Sequence, residues 1–153
     1  MPARGAAPQE IRLTAEPARA QGSRLPSPRR RTRRRSVKNP QCNCCDGYAH
    51  YLRKNGFEIE VKLTIDLAWI SSKAGVPANF QGCHTMFIDG HVVDGHVPVK
   101  AVQKLLSERP DIAGIALPGM PMGSPGIAGG KTEPFTIYEV TKDGKAPAVY
   151  STE

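Results

Sequence analysis

Residues 57–65 read FEIEVKLTI, and this stretch decides the fold class of the 153-residue chain. Apolar and polar side chains alternate along its whole length, a pattern that predicts a β-strand with one buried face. Asn55-Gly56 lies directly before the strand and supplies the left-handed residue that commonly ends a helix. The helix that ends there is predicted over residues 47–54, where apolar residues recur at helical spacing. A helix followed at once by a strand indicates an α/β protein.

The alternation of helix and strand continues beyond this strand. Asp66 can cap a short helix that begins directly after it. A hairpin follows, with strands predicted over residues 85–88 and 91–93 on either side of Asp89-Gly90. That dipeptide accepts the positive φ angles of a two-residue turn. The pattern therefore predicts a helix and then two antiparallel strands.

A third helix completes this series. Pro98 suits its first turn, apolar residues recur along one face, and Pro110 stops it. If residues 36–40 supply a first strand, the order becomes βαβαββα, which is the thioredoxin-like arrangement of an open sheet with helices on both faces. That first strand has the least favourable composition, because Val37 is its one apolar residue.

The C-terminal part adds to this arrangement. Residues 118–126 form a loop rich in Gly and Pro. Residues 135–140 and 148–151 are predicted to form an added β-hairpin that turns at Asp143-Gly144.

Charge divides the chain into two parts. Residues 1–41 carry a net charge of +9, whereas residues 42–153 carry −2. We expect residues 1–35 to be a disordered tail rich in Arg and Pro, and residues 36–153 to form the thioredoxin-like domain. No aromatic residue interleaves the arginine run of the tail and no periodic apolar face accompanies it, so no specific nucleic-acid partner is expected.

Neither export nor membrane insertion is indicated by the sequence. A signal peptide needs an uninterrupted apolar stretch of roughly 7 to 15 residues, and residues 11–13 are too short a run to supply it. No segment approaches the roughly 20 apolar residues of a membrane span. The chain therefore reads as soluble, with no recognisable signal peptide.

The four cysteines of the chain form two tight groups, Cys42, Cys44 and Cys45 in one and Cys83 in the other. Because no cysteine lies outside these two groups, a disulfide framework spread over the fold is excluded. In a thioredoxin-like fold the first group lies at the N-terminus of the first helix, and Cys83 lies just before the third strand, against the same helix end. The sequence thus predicts that all four sulfurs meet at one redox or soft-metal centre.

Thiolates are soft ligands, so the chemical candidates are Cu(I), Zn(II) and an iron–sulfur cluster, with Cu(I) favoured because thiolates bridge several Cu(I) ions. Structural zinc is the plainer alternative, although the neighbouring Cys44 and Cys45 would struggle to ligate a single ion together. A thiol-disulfide oxidoreductase that uses the Cys42/Cys45 pair is the alternative function. Against it, Cys44 and Cys83 are extra thiols that would scramble the pair. No catalytic triad, phosphate loop or paired-carboxylate site is recognisable, so no enzyme activity is expected beyond this redox chemistry.

The four histidines have different interpretations. His84 follows Cys83 directly and stands where thioredoxins usually keep a cis-proline, so it is either a metal ligand or hydrogen-bond donor to the site, or a structural replacement for proline. His50 is interpreted as a surface or packing residue. For His91 and His96 a local hydrogen bond, or a role in starting the next helix, is preferred to metal ligation.

Three further residues complete the candidate list. Met120 and Met122 carry the thioether that Cu(I) accepts, and the Gly/Pro loop could present them near the site as additional ligands, although packing under the loop is an equal alternative. Trp69 is interpreted as a core residue.

Several short motifs together resemble the CopG-type family of copper-resistance proteins. They are C-x-C-C at 42–45, C-H-T at 83–85, D-G-H-V-P at 94–98 and G-M-P-x-G-S-P-G at 119–126. The resemblance runs from about Asn39 to Ser151. It implies a thioredoxin-like domain, usually periplasmic, that holds copper in a cysteine-bridged multinuclear cluster and takes part in copper resistance.

On the same resemblance, the bridging ligands would be Cys42, Cys44, Cys45 and Cys83, and the partners would be copper ions and other copper-handling proteins. The chain differs from the family at its N-terminus, where an arginine-rich run stands in place of an apolar signal.

Overall fold

The computed structural model describes residues 34–153, so the predicted disorder of the tail falls on residues that lie almost entirely outside the described part. The described part contains three α-helices, one short 3-10 helix and seven β-strands. In chain order they are β1 (Arg35–Lys38), α1 (Cys44–Lys54), β2 (Glu60–Leu63), α2 (Leu67–Lys73), the 3-10 helix (Ala78–Phe80), β3 (His84–Ile88), β4 (His91–Gly95), α3 (Val99–Glu108), β5 (Gly114–Leu117), β6 (Thr136–Val140) and β7 (Val149–Thr152). None of these helices is long and apolar enough to cross a membrane.

The seven strands form one sheet in the order β2-β1-β3-β4-β5-β6-β7. β1 runs parallel to β2 and antiparallel to β3, and β3 runs antiparallel to β4. With α1, α2 and α3 these four strands follow the predicted βαβαββα order. The mixed α/β class is therefore confirmed, in an arrangement consistent with a thioredoxin-like domain.

The first strand forms despite its unfavourable composition. It starts at Arg35, one residue before the predicted start, and lies between β2 and β3 with Ser36, Val37 and Lys38 all buried. The Arg35 guanidinium lies over the Phe87 ring, 5.0 Å from its centre. Pairing on both sides and stacking on an aromatic ring supply the stability that the apolar content of the strand lacks.

The predicted strand over residues 57–65 is shorter than expected, and its buried face ends early. Only Glu60–Leu63 is strand, and although Phe57 and Ile59 are buried, the Leu63 and Ile65 side chains are 63% and 85% exposed. β2 is an edge strand, so the alternation of the sequence marked a strand without guaranteeing that its apolar face would be covered.

One prediction about α2 was wrong, and another is confirmed in position only. Trp69, expected in the core, is 63% exposed. Asp66 occupies the N-cap position of α2, but its side chain makes no capping hydrogen bond, and its backbone N–H donates to Thr64 Oγ1. Leu63 lies in the edge strand and Ile65 follows it, whereas α2 packs on β3 with Ser71 as its one fully buried residue.

β5 was missed in the sequence and is the central addition to the predicted arrangement. Its four residues are buried on both faces, so they show no alternation, and it runs parallel to β4. β6 and β7 then add the predicted C-terminal hairpin to its far side.

Two apolar cores cover the two faces of the sheet. The larger core packs α1 and α3 against β3, β4 and β5, with Val93 and Ile115 among its members. The smaller core includes Val92 and Ala116, which point to the opposite face.

The β3–β4 hairpin fixes the register that matters for the site. Asp89 and Gly90 both have positive φ angles, 47° and 86°, as a two-residue turn of the predicted kind requires. Thr85 consequently lies opposite Asp94.

Candidate metal centre

Two segments meet at one end of the sheet. The helix segment, residues 42–46, comprises the two residues before α1 and its first turn, and carries Cys42, Cys44 and Cys45. The strand segment, residues 82–85, leads into β3 and carries Cys83. The two segments are neighbours because β1 and β3 pair antiparallel, with Lys38 opposite His84.

The four sulfurs form a closed ring. Cys44 Sγ lies 3.3 Å from Cys42 Sγ and 3.6 Å from Cys83 Sγ. Cys45 Sγ lies 3.4 Å from Cys83 Sγ and is joined to Cys42 by a disulfide, which leaves Cys44 and Cys83 as free thiols. All four sulfurs lie within 4.8 Å of one another. The predicted convergence of the two cysteine groups is thus present in the structure.

Two imidazoles stand beside Cys83, and sequence reasoning identified only one of them. His96 Nε2 lies 3.1 Å from Cys83 Sγ, and His96 Nδ1 lies 2.6 Å from the Pro125 carbonyl oxygen. Since a carbonyl only accepts, Nδ1 carries the proton and the lone pair of Nε2 faces the sulfur. The local role expected for His96 was wrong, because both of its partners are distant in sequence.

A sequence signal for His96 existed. The Asp89-Gly90 turn sets residues 85 and 94 opposite each other. If this antiparallel register is continued two residues further from the turn, position 96 falls opposite position 83. A hairpin turn recognised with its register would have found this histidine.

His84 is buried on the inner side of the strand segment. Its Nδ1 lies 3.6 Å from Cys83 Sγ, and its Nε2 is buried without a hydrogen-bond partner among the described residues. Burial, with a contribution from the neighbouring His96, lowers the pKa of His84 to about 3. Burial likewise lowers the pKa of His96. Both imidazoles are therefore neutral at ordinary pH, as metal ligation requires.

Burial acts in the opposite direction on the Cys83 thiol. It raises the pKa of Cys83 to about 12, and the neighbouring Cys44 contributes to the rise. Cys83 therefore keeps its proton until a stronger acid, such as a metal ion, displaces it.

Tyr48 of α1 supports both imidazoles. Its ring centre lies 4.7 Å from that of His84 and 5.3 Å from that of His96, and its buried hydroxyl donates to the Val97 carbonyl. The Tyr48 ring thereby ties α1 to both histidines.

The Gly/Pro loop over residues 118–126 closes the same end of the domain. The Pro125 carbonyl orients His96, and Gly126 approaches α1 so closely that a Cβ there would lie 2.7 Å from the Tyr48 nitrogen. Met120 and Met122 on this loop are 45% and 59% exposed, so packing under the loop describes them poorly. Their role as additional ligands stays a prediction.

The remaining histidines lie away from the sulfur ring. His50 is exposed on α1, and His91 Nε2 lies 3.3 Å from the Pro110 carbonyl oxygen. His50 fits its interpretation as a surface residue, whereas the local hydrogen bond expected for His91 was wrong, because Pro110 is 19 residues away in sequence.

The donor set fits a soft metal ion. The donor atoms form two groups that share Cys83, namely the four sulfurs, and Cys83 with the neutral imidazoles of His84 and His96. Thiolate with imidazole is the ligand combination that copper and zinc accept. Reduction of the Cys42–Cys45 disulfide makes all four sulfurs available to such an ion.

Comparisons with known proteins agree with this geometry. A family model described as "Protein of unknown function, DUF411" matches residues 80–127. No curated protein gives a match. Two solved structures of copper resistance protein CopG, form 2 and form 1, are each 35% identical to this chain with a TM-score of 0.72. Each alignment covers 78% of this chain, and 96% and 95% of the two CopG chains respectively. This identity over most of both chains, together with the four motifs, shows that the chain belongs to the family of copper resistance protein CopG.

Proposed function

We propose that this protein binds Cu(I) as cargo in a multinuclear site bridged by Cys42, Cys44, Cys45 and Cys83, and that it acts in copper resistance. The observation that carries the proposal is the ring of four sulfurs, all within 4.8 Å of one another. Thiolate is the ligand that most favours Cu(I), and it bridges neighbouring ions readily.

The ring arrangement supports bridging rather than a single tetrahedral ion. Each sulfur has two sulfur neighbours in the ring. Two ions held between adjacent pairs of sulfurs would therefore share the sulfur that the pairs have in common. Cys44 and Cys45 are adjacent in the chain, yet each of them contacts Cys83. Zinc bound by the four cysteines is the competing occupant, and the test below distinguishes it.

Loading the site requires reduction first. The Cys42–Cys45 disulfide takes up two electrons and two protons from an external thiol reductant, whose own two thiols become a disulfide. Copper then displaces the thiol protons, with Cys83 the most dependent on the metal for its deprotonation because burial raises its pKa. The neutral His84 and His96 complete the donor set.

The setting of this function follows the family resemblance. We place the protein in the periplasm, where it would receive copper ions and exchange them with other copper-handling proteins. Cys42 and Cys44 are half-buried, so an incoming ligand can reach the ring from the helix segment.

A second function is favoured by the disulfide itself. Cys42 and Cys45 are already joined at the N-terminus of α1, the position of a redox dithiol in this kind of fold. As a reductant, one thiolate would attack a substrate disulfide, form a mixed disulfide and release one substrate thiol. The second cysteine would then displace the other substrate thiol and restore Cys42–Cys45. The nearby Cys44 and Cys83 sulfurs compete with that second step.

The decisive experiment is elemental analysis of reduced protein incubated anaerobically with Cu(I) or Zn(II). We expect more than one copper ion per chain, and a clear loss of copper in Cys44→Ser. His50→Ala, a change of an exposed residue on the same helix, is the matched control. One zinc per chain with no copper retained, or full copper content in Cys44→Ser, would contradict the bridged site. In the latter case, turnover of a model disulfide would support the oxidoreductase.

A further inference from the structure

Each cysteine segment is held on both sides by one buried charged side chain. Lys38, the last residue of β1, is 4% exposed. Its Nζ donates to the Cys42 carbonyl oxygen at 2.9 Å and to Asp46 Oδ2 at 2.8 Å. Cys44 and Cys45 lie between these two contacts. Lys38 thus connects the start of the helix segment with the first turn of α1.

Asp94 of β4 makes the corresponding contacts in the strand segment. It is fully buried, its Oδ1 accepts a hydrogen bond from the Gly82 N–H, and its Oδ2 accepts one from Thr85 Oγ1 at 2.6 Å. Cys83 and His84 lie between these contacts. A Cβ on Gly82 would lie 2.8 Å from Gly95 Cα, so the segment is pressed closely against β4 at this point.

Apolar packing does not explain either residue, although the Asp94–Thr85 pair also contacts Ser71 of α2 and so helps to hold that helix on the sheet. Both apolar cores are complete without them, and burying a charge is costly unless it is paired. The partner of Lys38 is the largely exposed Asp46 carboxylate, so the pair adds little net stability. What the contacts do fix is the path of the backbone on both sides of each cysteine group.

We propose that Lys38 and Asp94 are the positioning residues of the metal centre, Lys38 for the helix segment and Asp94 for the strand segment. Neither touches the metal; each holds sulfurs at the spacing that closes the ring. The inference rests on the proposed copper function, but it also makes a prediction for the copper-free protein.

The test for Lys38 compares three variants. Lys38→Met keeps the aliphatic stem and removes both contacts, and Lys38→Arg keeps the charge and the donors. Lys62→Met removes an exposed lysine from the neighbouring strand, where Lys62 lies beside Val37, and is the matched control. The measurements are Cu(I) affinity by chelator competition and, without copper, the exchange equilibrium of the Cys42–Cys45 disulfide with glutathione.

We expect Lys38→Met to weaken Cu(I) binding by about 10-fold or more, as the loss of residues that orient ligands commonly does. The glutathione equilibrium should shift by about 10-fold, Lys38→Arg should recover most of both values, and Lys62→Met should change neither. A Cu(I) affinity and a glutathione equilibrium for Lys38→Met that lie within twofold of those for Lys62→Met would overturn the role of Lys38. If Lys38→Met does not fold, Lys38→Arg decides. Wild-type affinity and equilibrium in Lys38→Arg support the role, whereas a loss of both in folded Lys38→Arg overturns it.

The test for Asp94 uses Asp94→Ala, Asp94→Asn and the control Val140→Ala, which removes buried volume from the smaller core. We expect Asp94→Ala to weaken Cu(I) binding by about 10-fold and to change the rate of iodoacetamide alkylation at Cys83 by a similar factor, with Asp94→Asn intermediate. An equal Cu(I) affinity and Cys83 alkylation rate in Asp94→Ala and Val140→Ala would overturn the role of Asp94. If Asp94→Ala does not fold, a wild-type affinity and alkylation rate in Asp94→Asn would overturn it.

The two proposals fail in different ways. Wild-type protein that holds no copper contradicts the copper function. The glutathione equilibrium and the Cys83 alkylation rate then still decide whether Lys38 and Asp94 position the cysteines.

Discussion

The helix segment and the strand segment contribute to the same ring of sulfurs under different physical conditions. Three of the sulfurs come from the N-terminus of α1, where the free backbone N–H groups favour negative charge and where Cys42 and Cys44 are half-buried. The fourth comes from a strand beside two fully buried imidazoles, and burial raises its thiol pKa. The comparison separates the side of the centre that holds the disulfide from the side that holds the buried imidazoles; exposure does not separate the two free thiols, because Cys44 and Cys83 are both half-buried.

Under the proposed copper function, this difference implies an order of events. The helix segment holds the disulfide, which an external thiol would have to open first. The strand segment offers a protonated thiol and neutral imidazoles, so the Cys83 proton would leave only when a metal ion displaces it.

The largest effect is expected from removing the sulfur that links the two segments. Cys83→Ser breaks both contacts of the strand segment with the ring, those to Cys44 and Cys45, so copper per chain should fall by half or more. Elemental analysis after anaerobic loading measures this. Wild-type copper content in Cys83→Ser would show that the helix segment alone forms the site.

Truncating Tyr48 should come next, because its ring supports both buried imidazoles. We expect Tyr48→Ala to lower the free energy of unfolding by about 3–5 kcal/mol, as for other large buried aromatic residues. Tyr48→Phe keeps the ring but leaves the Val97 carbonyl without its donor, and should cost about 1–2 kcal/mol. Urea unfolding of the reduced, copper-free protein measures both, and equal losses in the two variants would contradict a packing role for the ring.

The two histidines should differ in their effects on copper, one on affinity and the other on oxidation rate. His96 faces Cys83 at 3.1 Å, so His96→Ala should weaken Cu(I) binding by about 10-fold. His84→Ala should leave most copper bound and change its oxidation rate in air. Chelator competition and absorbance on exposure to oxygen measure the two effects. If His84→Ala weakened Cu(I) binding and His96→Ala changed only the oxidation rate, the roles assigned to the two histidines would be exchanged.

The smallest effect is expected outside both segments. Deleting residues 1–33 leaves Arg34, whose guanidinium lies over the Phe57 ring and within 3.6 Å of Asp89, and leaves β1 intact. Copper content and the thermal midpoint should both stay at the wild-type value. A fall in the midpoint would mean that the basic segment contributes to the folded domain.

Much of the centre was readable from sequence because covalent spacing and strand order act over short distances. The C-x-C-C group next to a helix start, and Cys83 next to a strand start, were enough to predict that the sulfurs converge. His96 was missed because its role depends on the register of a hairpin and on the Pro125 carbonyl, which belongs to a distant loop. Local hydropathy carries neither kind of information.

The errors in the fold have a similar origin. Alternation in residues 57–65 correctly indicated a strand, but the exposure of Leu63 and Ile65 follows from the edge position of β2 in the sheet. β5 escaped notice because a strand buried on both faces lacks alternation. Both errors concern which neighbours an element acquires, and neighbours are set by the whole chain.

The two-residue turn at Asp89-Gly90 has an effect far from its own position. It lies at the opposite end of β3 from His84, roughly 15 Å away at the usual rise per residue. Because β3 and β4 pair residue by residue from that turn, a shift of their register by one residue would move position 96 out of line with Cys83. The type of a remote surface turn therefore helps to decide whether the Cys83 thiol meets an imidazole, and a change that shifted the register would part the two without altering either residue.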